Sequence, residues 1–456
     1  MNKENKRDSL CIQHMEKTPV KQVKNRMVYC KQLEDHQYGA YRFYKPITTI
    51  AFIVLLLIQA LPVKAQNNDD LIHPFFVAKE DGFSYRSLIK LLDMDSVYIG
   101  SKLESSYHDL LSVMYSRFGR YKEARHEAEA TGTMFLDQKR FARNYKNAKA
   151  IPLSEVMDSI IENHQGIMMN ELHFNPHSRA FVISWLEKCY QNGYRYLAAE
   201  TLRASDSLLN QRRTVLLGET GFYSDEPVFA DLFRTALNMG YTLVSYEGSG
   251  SGVDREVNQA KNLVENILDK DPEAKFLLLG GFGHISDRNG WYAMGRYFKE
   301  QSGIDPFTIN CTMTFDDPYG ETDSLQTVYY DLIDNMPVRE PIFLYDTVKH
   351  IFPCTTGMDV TCCLPRTRFI EDNIPDWKLY NGKVLYTIDR RFINKNGFPE
   401  GCVSAFLKSE GEKCVPIDQY MYGKDEKEFK LALYKGEYLL RFDDGKEYRY
   451  VTVMVK

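Results

Sequence analysis

The chain lacks the compositions that mark several common protein classes. Its 456 residues include 17 Pro and 28 Gly, which are ordinary numbers and exclude a collagen-like or low-complexity chain. Tryptophan is scarce, with 3 residues, but 30 Tyr and 26 Phe bring the aromatic fraction to 13%. An intrinsically disordered chain carries far less apolar surface than this. The composition therefore predicts a folded globular protein with a large core.

Several catalytic and binding signatures are also absent. The chain contains no CxxC pair, no Gly-x-Ser-x-Gly nucleophile turn and no Walker motif. The glycine-rich runs at 248–252 and 280–284 have the outline of phosphate-binding turns, but neither has the dinucleotide-binding spacing. The chain that follows its basic first 65 residues is acidic, which argues against a nucleic-acid partner.

No apolar run reaches the roughly 20 residues that span a bilayer. The longest, ITTIAFIVLLLIQAL at Ile47–Leu61, follows a basic segment and precedes Val63-Lys64-Ala65, which has small residues at two positions of a cleavage site. This pattern predicts that residues 1–65 are a secretory signal with a long basic region. We therefore expect an exported protein, periplasmic or extracellular, with no stable transmembrane segment after cleavage. An uncleaved signal anchor is the alternative.

Seven cysteines follow the predicted signal, and an odd number leaves at least one of them unpaired within the chain. Two short loops offer pairings: Cys354 with Cys362 or Cys363, and Cys402 with Cys414. The sequence does not decide between them.

The pattern of apolar residues predicts an α/β protein with flanking regions. Residues 66–150 are helical and contain one turn like that of a tetratricopeptide repeat, which we interpret as a helical hairpin. Residues 151–350 alternate strands with helices, which predicts a central, largely parallel sheet with helices on both faces. Residues 351–375 are predicted as a linker, and 376–456 as a small antiparallel β-sandwich with a structural or attachment role.

Ionisable side chains follow four of the predicted parallel strands. Because ligands of open α/β sheets bind at the carboxyl ends of the strands, we expect these side chains to share one site. Glu171 and His173 are two residues apart, so an extended segment places both on one side, where a carboxylate can orient an imidazole. The predicted strands and the residues that follow them are Gln165–Met169 with Glu171 and His173, Tyr194–Ala199 with Glu200, Thr242–Tyr246 with Glu247, and Lys275–Leu279 with His284.

Two arginines could supply positive charge to such a site. Arg179 and His177 lie in the first turn of the helix after His173, and Arg255 begins a later helix. Either arginine can bind an anionic group, although neutralising a buried carboxylate is an equally good interpretation. Together with Glu247 and Tyr223, Arg179 and His177 are candidate substrate-binding residues.

Two segments resemble a known superfamily, NELHFNPHSRAFVISWLEKCYQNGYRYLAAETL and REVNQAKNLVENILDKDPEAKFLLLGGFGH. They are similar to the superfamily of erythromycin esterases, ChaN-like haem-binding proteins, and Tiki and TraB proteins over about residues 160–346. That superfamily has a Gly-Glu-x-His motif, a Glu after the next strand, an Arg on a later helix and a second Gly-x-x-His. Asn170 departs from the first motif, where the superfamily has Gly. The residues that match are Glu171, His173, Glu200, Arg255, Gly281 and His284.

The resemblance implies hydrolysis of an ester or amide in a small molecule or peptide. His173 would be the general base on water, with Glu171 and Glu200 as its partners and His284 with Arg255 stabilising the oxyanion. If a divalent metal is required, His173, His284 and Glu171 would hold Zn or Mn. The alternatives are a haem-binding protein, with His173, His284 or Tyr223 as axial ligands, and an interaction protein built around a vestigial site.

Overall fold

The computed structural model of the protein describes residues 71–131, 145–312, 334–336, 339–354, 356–370 and 373–456. The predicted signal segment lies outside these residues. The described residues belong to one compact unit. Within these ranges, no helix is long and apolar enough to cross a membrane.

The first described region is helical. Helix α2 begins with a reciprocal cap, in which the Ser84 hydroxyl accepts from Ser87 N–H and the Ser87 hydroxyl accepts from Ser84 N–H. Helices α4 and α5 form a hairpin at Gly119, and Met421 N–H of the C-terminal region donates to Phe118 O. The helices are α1 Pro74–Glu80, α2 Tyr85–Asp93, α3 Asp95–Tyr98, α4 Glu104–Arg117 and α5 Tyr121–Ala130.

An eight-stranded mixed sheet follows, in the order β1-β7-β8-β6-β2-β5-β3-β4. Strands β2, β3, β4, β5, β6 and β8 run parallel, whereas β7 is antiparallel to both β1 and β8. The α/β prediction is therefore confirmed. The strands are β1 Ala148–Pro152, β2 Gly166–Glu171, β3 Tyr194–Ala199, β4 Thr242–Ser245, β5 Lys275–Gly281, β6 Phe307–Asn310, β7 Ile342–Asp346 and β8 Val360–Cys363.

Helices cover both faces of this sheet because successive strand residues point to opposite sides. Leu277 and Leu279 of β5 pack in a core with Trp185 and Phe229. Leu278, between them, packs in a second core with the helices of the opposite face. The helices are α6 Leu153–Asn163, α7 His177–Gln191, α8 Leu209–Arg212, α9 Pro227–Met239, α10 Val253–Leu263 with a π-helical extension Val264–Leu268, and α11 Met294–Ser302.

Some predicted boundaries differ from the structure. Strand β2 extends through Glu171, so this carboxylate belongs to the strand rather than to the loop after it. Residues 360–363, in the predicted linker, form β8 of the main sheet. Neither proposed disulfide is present: Cys354, Cys402 and Cys414 are free cysteines, and all three are buried.

The C-terminal region consists of small antiparallel sheets around its own core. Strands β15 and β16 form a hairpin whose turn contains Asp444 and Gly445. Four strands pair in the order β13-β12-β15-β16, and β11 pairs with β14. The elements are β9 Phe369–Ile370, β10 Ile374–Pro375, β11 Val384–Asp389, α12 Arg390–Asn396, β12 Gly401–Leu407, β13 Asp418–Tyr422, β14 Glu428–Leu433, β15 Gly436–Asp443 and β16 Tyr448–Val455.

Candidate active site

The first half of the site lies where β2 ends. His173 Nδ1 lies 2.9 Å from Glu171 Oε1, so the carboxylate fixes the orientation of the ring. Arg179, two residues into α7, donates to both oxygens of Glu171 and to His173 O. The short connection from β2 to α7 brings these three residues together, since it returns the chain directly over the strand end.

Arg179 is fully buried and holds a second carboxylate. Its Nη1 lies 2.9 Å from Glu226 Oε2, and Glu226 caps α9 by accepting from Val228 and Phe229 N–H. Burial opposes the ionisation of Glu171, but Arg179 and His173 outweigh it and keep the pKa of Glu171 below its ordinary value. Arg179 therefore neutralises and orients Glu171 and has no surface to offer a substrate.

Glu200, after β3, lies at the centre of the site. Its Oε2 accepts from Gly281 N–H at 2.7 Å, and its Oε1 lies 2.8 Å from Arg255 Nη2. Burial disfavours the charge of Glu200, but His284, His173 and Arg255 outweigh this effect and lower its pKa. Arg255 also bridges to Glu247, at 2.8 Å and 2.7 Å, near the solvent-exposed edge.

The second imidazole is held in the same manner as the first. His284 Nδ1 lies 2.7 Å from Glu256 Oε1, and Glu256 Oε2 accepts from Met294 N–H at 2.8 Å. Burial opposes protonation of His284, but the hydrogen bond to Glu256 and the charge of Glu200 prevail and raise its pKa. Its Nε2 lies 3.6 Å from Glu200 Oε1.

Gly281 lets the two halves approach each other. A Cβ atom at this position would lie 2.7 Å from His173 Cε1, 2.9 Å from His173 Nε2 and 3.0 Å from Glu200 Oε2. Any side chain at residue 281 would therefore displace the imidazole or the carboxylate. His173 Nε2 and Glu200 Oε2 therefore both border the space next to Gly281, and His284 Nε2 lies 3.6 Å from the other oxygen of Glu200.

Two aromatic rings flank His173. Tyr223 stacks on its imidazole with 3.8 Å between centroids, and Phe282 meets it edge-on at 5.4 Å. Burial, together with the charges of Glu200 and Asp109, raises the pKa of Tyr223, so this phenol is neutral. Asp109 belongs to α4, so the helical region contributes to the electrostatics of the site.

The structure brings most of the predicted residues together but leaves one apart. His177 stacks on Trp377, 5.3 Å between centroids, and burial lowers its pKa to about 3. Sequence reasoning missed Glu226, Glu256 and Phe282. The Glu-Pro pair at a helix start was a signal for Glu226, whereas nothing in the sequence distinguished Glu256 from other helical glutamates. The residues that meet as predicted are Glu171, His173, Arg179, Glu200, Tyr223, Glu247, Arg255 and His284.

The contacts do not fit the predicted Zn or Mn set of His173, His284 and Glu171. Both oxygens of Glu171 are held by Arg179, and the cationic Arg255 Nη1 lies 3.4 Å from His284 Nε2, where it would repel a metal ion. Over the described parts of the chain, no group of three or more His, Cys, Asp or Glu is arranged to hold a metal. These contacts do not test haem binding, which stays a prediction.

The chain matches no family model and no curated protein. Among solved structures, it is similar to two described as bacterial protein toxins, at 16% and 15% identity and TM-scores of 0.28 and 0.29; each match covers 45% of this chain and 47% of the other. It is also similar to RRSP, a MARTX toxin effector domain from Vibrio vulnificus CMCP6, at 15% identity and a TM-score of 0.24, over 40% of this chain and 41% of that one. The chain thus spans less than half the length of these structures, and at such scores they do not indicate its activity.

Proposed function

We propose that the protein is a hydrolase that cleaves an ester or amide with a water molecule activated by His173. The supporting observation is that two imidazoles, each oriented by a carboxylate at Nδ1, lie on either side of Glu200: His173 Nε2 borders the space next to Gly281 together with Glu200 Oε2, and His284 Nε2 lies 3.6 Å from Glu200 Oε1. The proposal agrees with the hydrolase members of the superfamily that the sequence resembles. Export to the periplasm or beyond the cell is part of the proposal and rests on the sequence alone.

His173 acts as the general base. When Nδ1 donates its proton to Glu171, Nε2 presents a lone pair that accepts a proton from water. The water oxygen then bonds to the carbonyl carbon, and the proton held on Nε2 passes to the leaving oxygen or nitrogen as its bond to carbon breaks. Arg179 keeps Glu171 ionised, so this carboxylate also stabilises the imidazolium of the intermediate.

His284 and Arg255 stabilise the negative charge that develops on the carbonyl oxygen. The raised pKa of His284 favours its cationic form, and Arg255 Nη1 lies 3.4 Å from its Nε2. Preorganised positive charge of this kind commonly lowers the barrier of acyl transfer by several kcal/mol. Glu200 holds Arg255 in place and compensates the positive charge before substrate binds.

The reaction class is tested on the purified protein with a panel of carboxylic esters, lactones and peptides, each with and without added Zn²⁺ or Mn²⁺. Products are detected by mass spectrometry as the gain of one water. The proposal expects turnover of at least one class without added metal. Silence across the whole panel would contradict it. A Soret band on titration with haem would instead favour the ligand-binding alternative.

A further inference from the structure

Phe282 combines a strained backbone with an exposed aromatic ring beside the proposed base. Its φ is +38°, in the left-handed region that a bulky L-residue rarely adopts. The adjacent Gly281 and Gly283 would adopt positive φ at little cost, but the chain places the strain on the phenylalanine. Strain of this kind at a candidate site is a reason to look for a function of the side chain it orients.

Hydrogen bonds hold the strained conformation. Phe282 N–H donates to Glu171 O at 3.1 Å, and Phe282 O accepts from Asn170 Nδ2 at 2.6 Å. Asn170 is buried, and its Oδ1 accepts from Cys311 N–H at 2.6 Å. The residue at which the chain departs from the superfamily motif is thus the residue that fixes the backbone of Phe282.

The ring held in this manner is open to solvent. The exposed fraction of Phe282 is 43%, and the ring meets His173 edge-on. Two more exposed aromatic residues, Trp291 and Tyr292, lie in the loop that follows His284. The hydrogen bond from Gly295 N–H to His284 O closes this loop. When an apolar group of a ligand covers such solvent-facing apolar surface, the free energy of binding becomes more favourable.

We propose that Phe282 is a specificity-determining residue that packs against the group attached to the scissile carbonyl carbon. The substrate class is therefore an ester or amide with an aromatic or bulky apolar acyl group. This inference rests on the proposed function, because the carbonyl carbon attacked by water at His173 Nε2 carries its substituent next to this ring. Asn170 is the positioning residue that sets the ring's direction.

The test compares wild type with Phe282→Ala, Phe282→Leu and Asn170→Gly. The control is Tyr450→Ala, which removes a similarly exposed aromatic ring from β16 in the C-terminal region. Two measurements are made: kcat/KM for methyl phenylacetate against methyl acetate, and Kd for benzylphosphonate against methylphosphonate, which bind without being hydrolysed. Circular dichroism establishes that each variant is folded.

The wild type and the control are expected to favour the benzyl member of both pairs by about tenfold. Phe282→Ala is expected to abolish this preference, Phe282→Leu to restore part of it, and Asn170→Gly to reduce it. Ester turnover with a preference unchanged in Phe282→Ala would overturn the inference and leave the proposed function standing. A Phe282-dependent preference among phosphonates, together with no turnover of any ester, lactone or peptide of the panel, would contradict the proposed function and leave only the binding of apolar groups by the ring supported. Failure of both phosphonates to bind the wild type would overturn the inference.

Discussion

At the scale of single residues, the site is built by pairing each imidazole with a carboxylate and each buried carboxylate with a cation. Glu171 serves His173, and Glu256 serves His284. The two histidines nevertheless differ in surroundings: an aromatic ring stacks on His173, whereas Glu200 lies within 4 Å of His284 Nε2. Such a difference allows one imidazole to act as a base while the other remains cationic.

Glu256→Gln is expected to lower the pKa of His284, because the anionic partner at Nδ1 becomes neutral. A raised pKa keeps the wild-type imidazolium populated to higher pH, so activity that depends on it declines only as the pH rises through that pKa. In the variant, the alkaline limb of the kcat/KM profile should move to lower pH. NMR titration of His284 gives the pKa directly, and an unchanged value in the variant would refute this prediction.

Glu171→Gln is expected to lower the free energy of unfolding by about 3–5 kcal/mol at neutral pH, since it leaves Arg179 buried with one carboxylate fewer. The pKa of Glu171 is lower in the folded state, so its stabilisation is present above the unfolded value of about 4.3 and is lost as the pH falls through the folded value. Urea denaturation from pH 7 to pH 3 measures both effects. A deficit that does not shrink in acid would contradict this explanation.

Sequence reasoning anticipated the residues that follow the strands but not those that support them. Glu171, His173, Glu200 and His284 could be predicted because strand ends have a fixed position in a parallel sheet. Glu256 lies on a helix, and whether such a residue faces the site depends on the helix's rotation, which a single sequence determines poorly.

At the scale of elements, a buried ion pair ties α9 to the C-terminal region. Asp231 of α9 lies 2.8 Å from Lys383 Nζ, and Tyr434 O–H donates to the same carboxylate at 2.8 Å. Burial disfavours the charge of Asp231, but Lys383 and Arg234 outweigh it and lower the carboxyl pKa. Since Glu226 caps the start of α9, this contact also supports the residue that holds Arg179.

Asp231→Asn is expected to cost about 3–5 kcal/mol of unfolding free energy, because Lys383 remains buried without its counter-ion. The double variant Asp231→Leu/Lys383→Met should lose less unfolding free energy than the sum of the losses measured for Asp231→Leu alone and Lys383→Met alone. Lys408→Met, which removes an exposed pair with Glu437, is the control and should have little effect. Additive losses in the double variant would argue against the ion pair as the connection.

The elements of the main sheet were predictable where strand and helix alternate, as at Tyr194–Ala199, which matches the structure residue for residue. The antiparallel edge of the sheet could not be predicted in this way. Strands β1 and β7 pair with each other across about 190 residues, and β8 joins them from the predicted linker. Short runs such as 360–363 carry no periodicity that separates a strand from an ordinary apolar segment.

At the scale of the whole molecule, the flanking regions are integral to the fold. Arg120 of the helical hairpin lies 3.0 Å from Glu426, and buried Arg117 donates to Phe222 O, close to the ring that stacks on His173. The sequence predicted the C-terminal region as a structural or attachment module. Its contacts with α9 and the hairpin favour the structural role.

Removal of residues 376–456 is therefore expected to prevent folding of the α/β region, because it exposes Asp231 and the apolar surface around α9. Calorimetry of the chain without its predicted signal should show one cooperative transition. Two results would show that the regions fold independently. One is a truncated protein that is soluble and has the circular dichroism of a folded α/β region. The other is two thermal transitions in calorimetry, only one of which is shifted by Asp231→Asn.

The central claim is that His173 activates water, and the most direct test is kcat/KM of His173→Ala on the best substrate of the panel. His126→Ala, which changes an exposed histidine on α5, is the matched control. Loss of a general base predicts a decrease of about 10²–10⁴-fold in His173→Ala with native circular dichroism, and no decrease in the control. Activity of a folded His173→Ala protein within a few-fold of wild type would contradict the account.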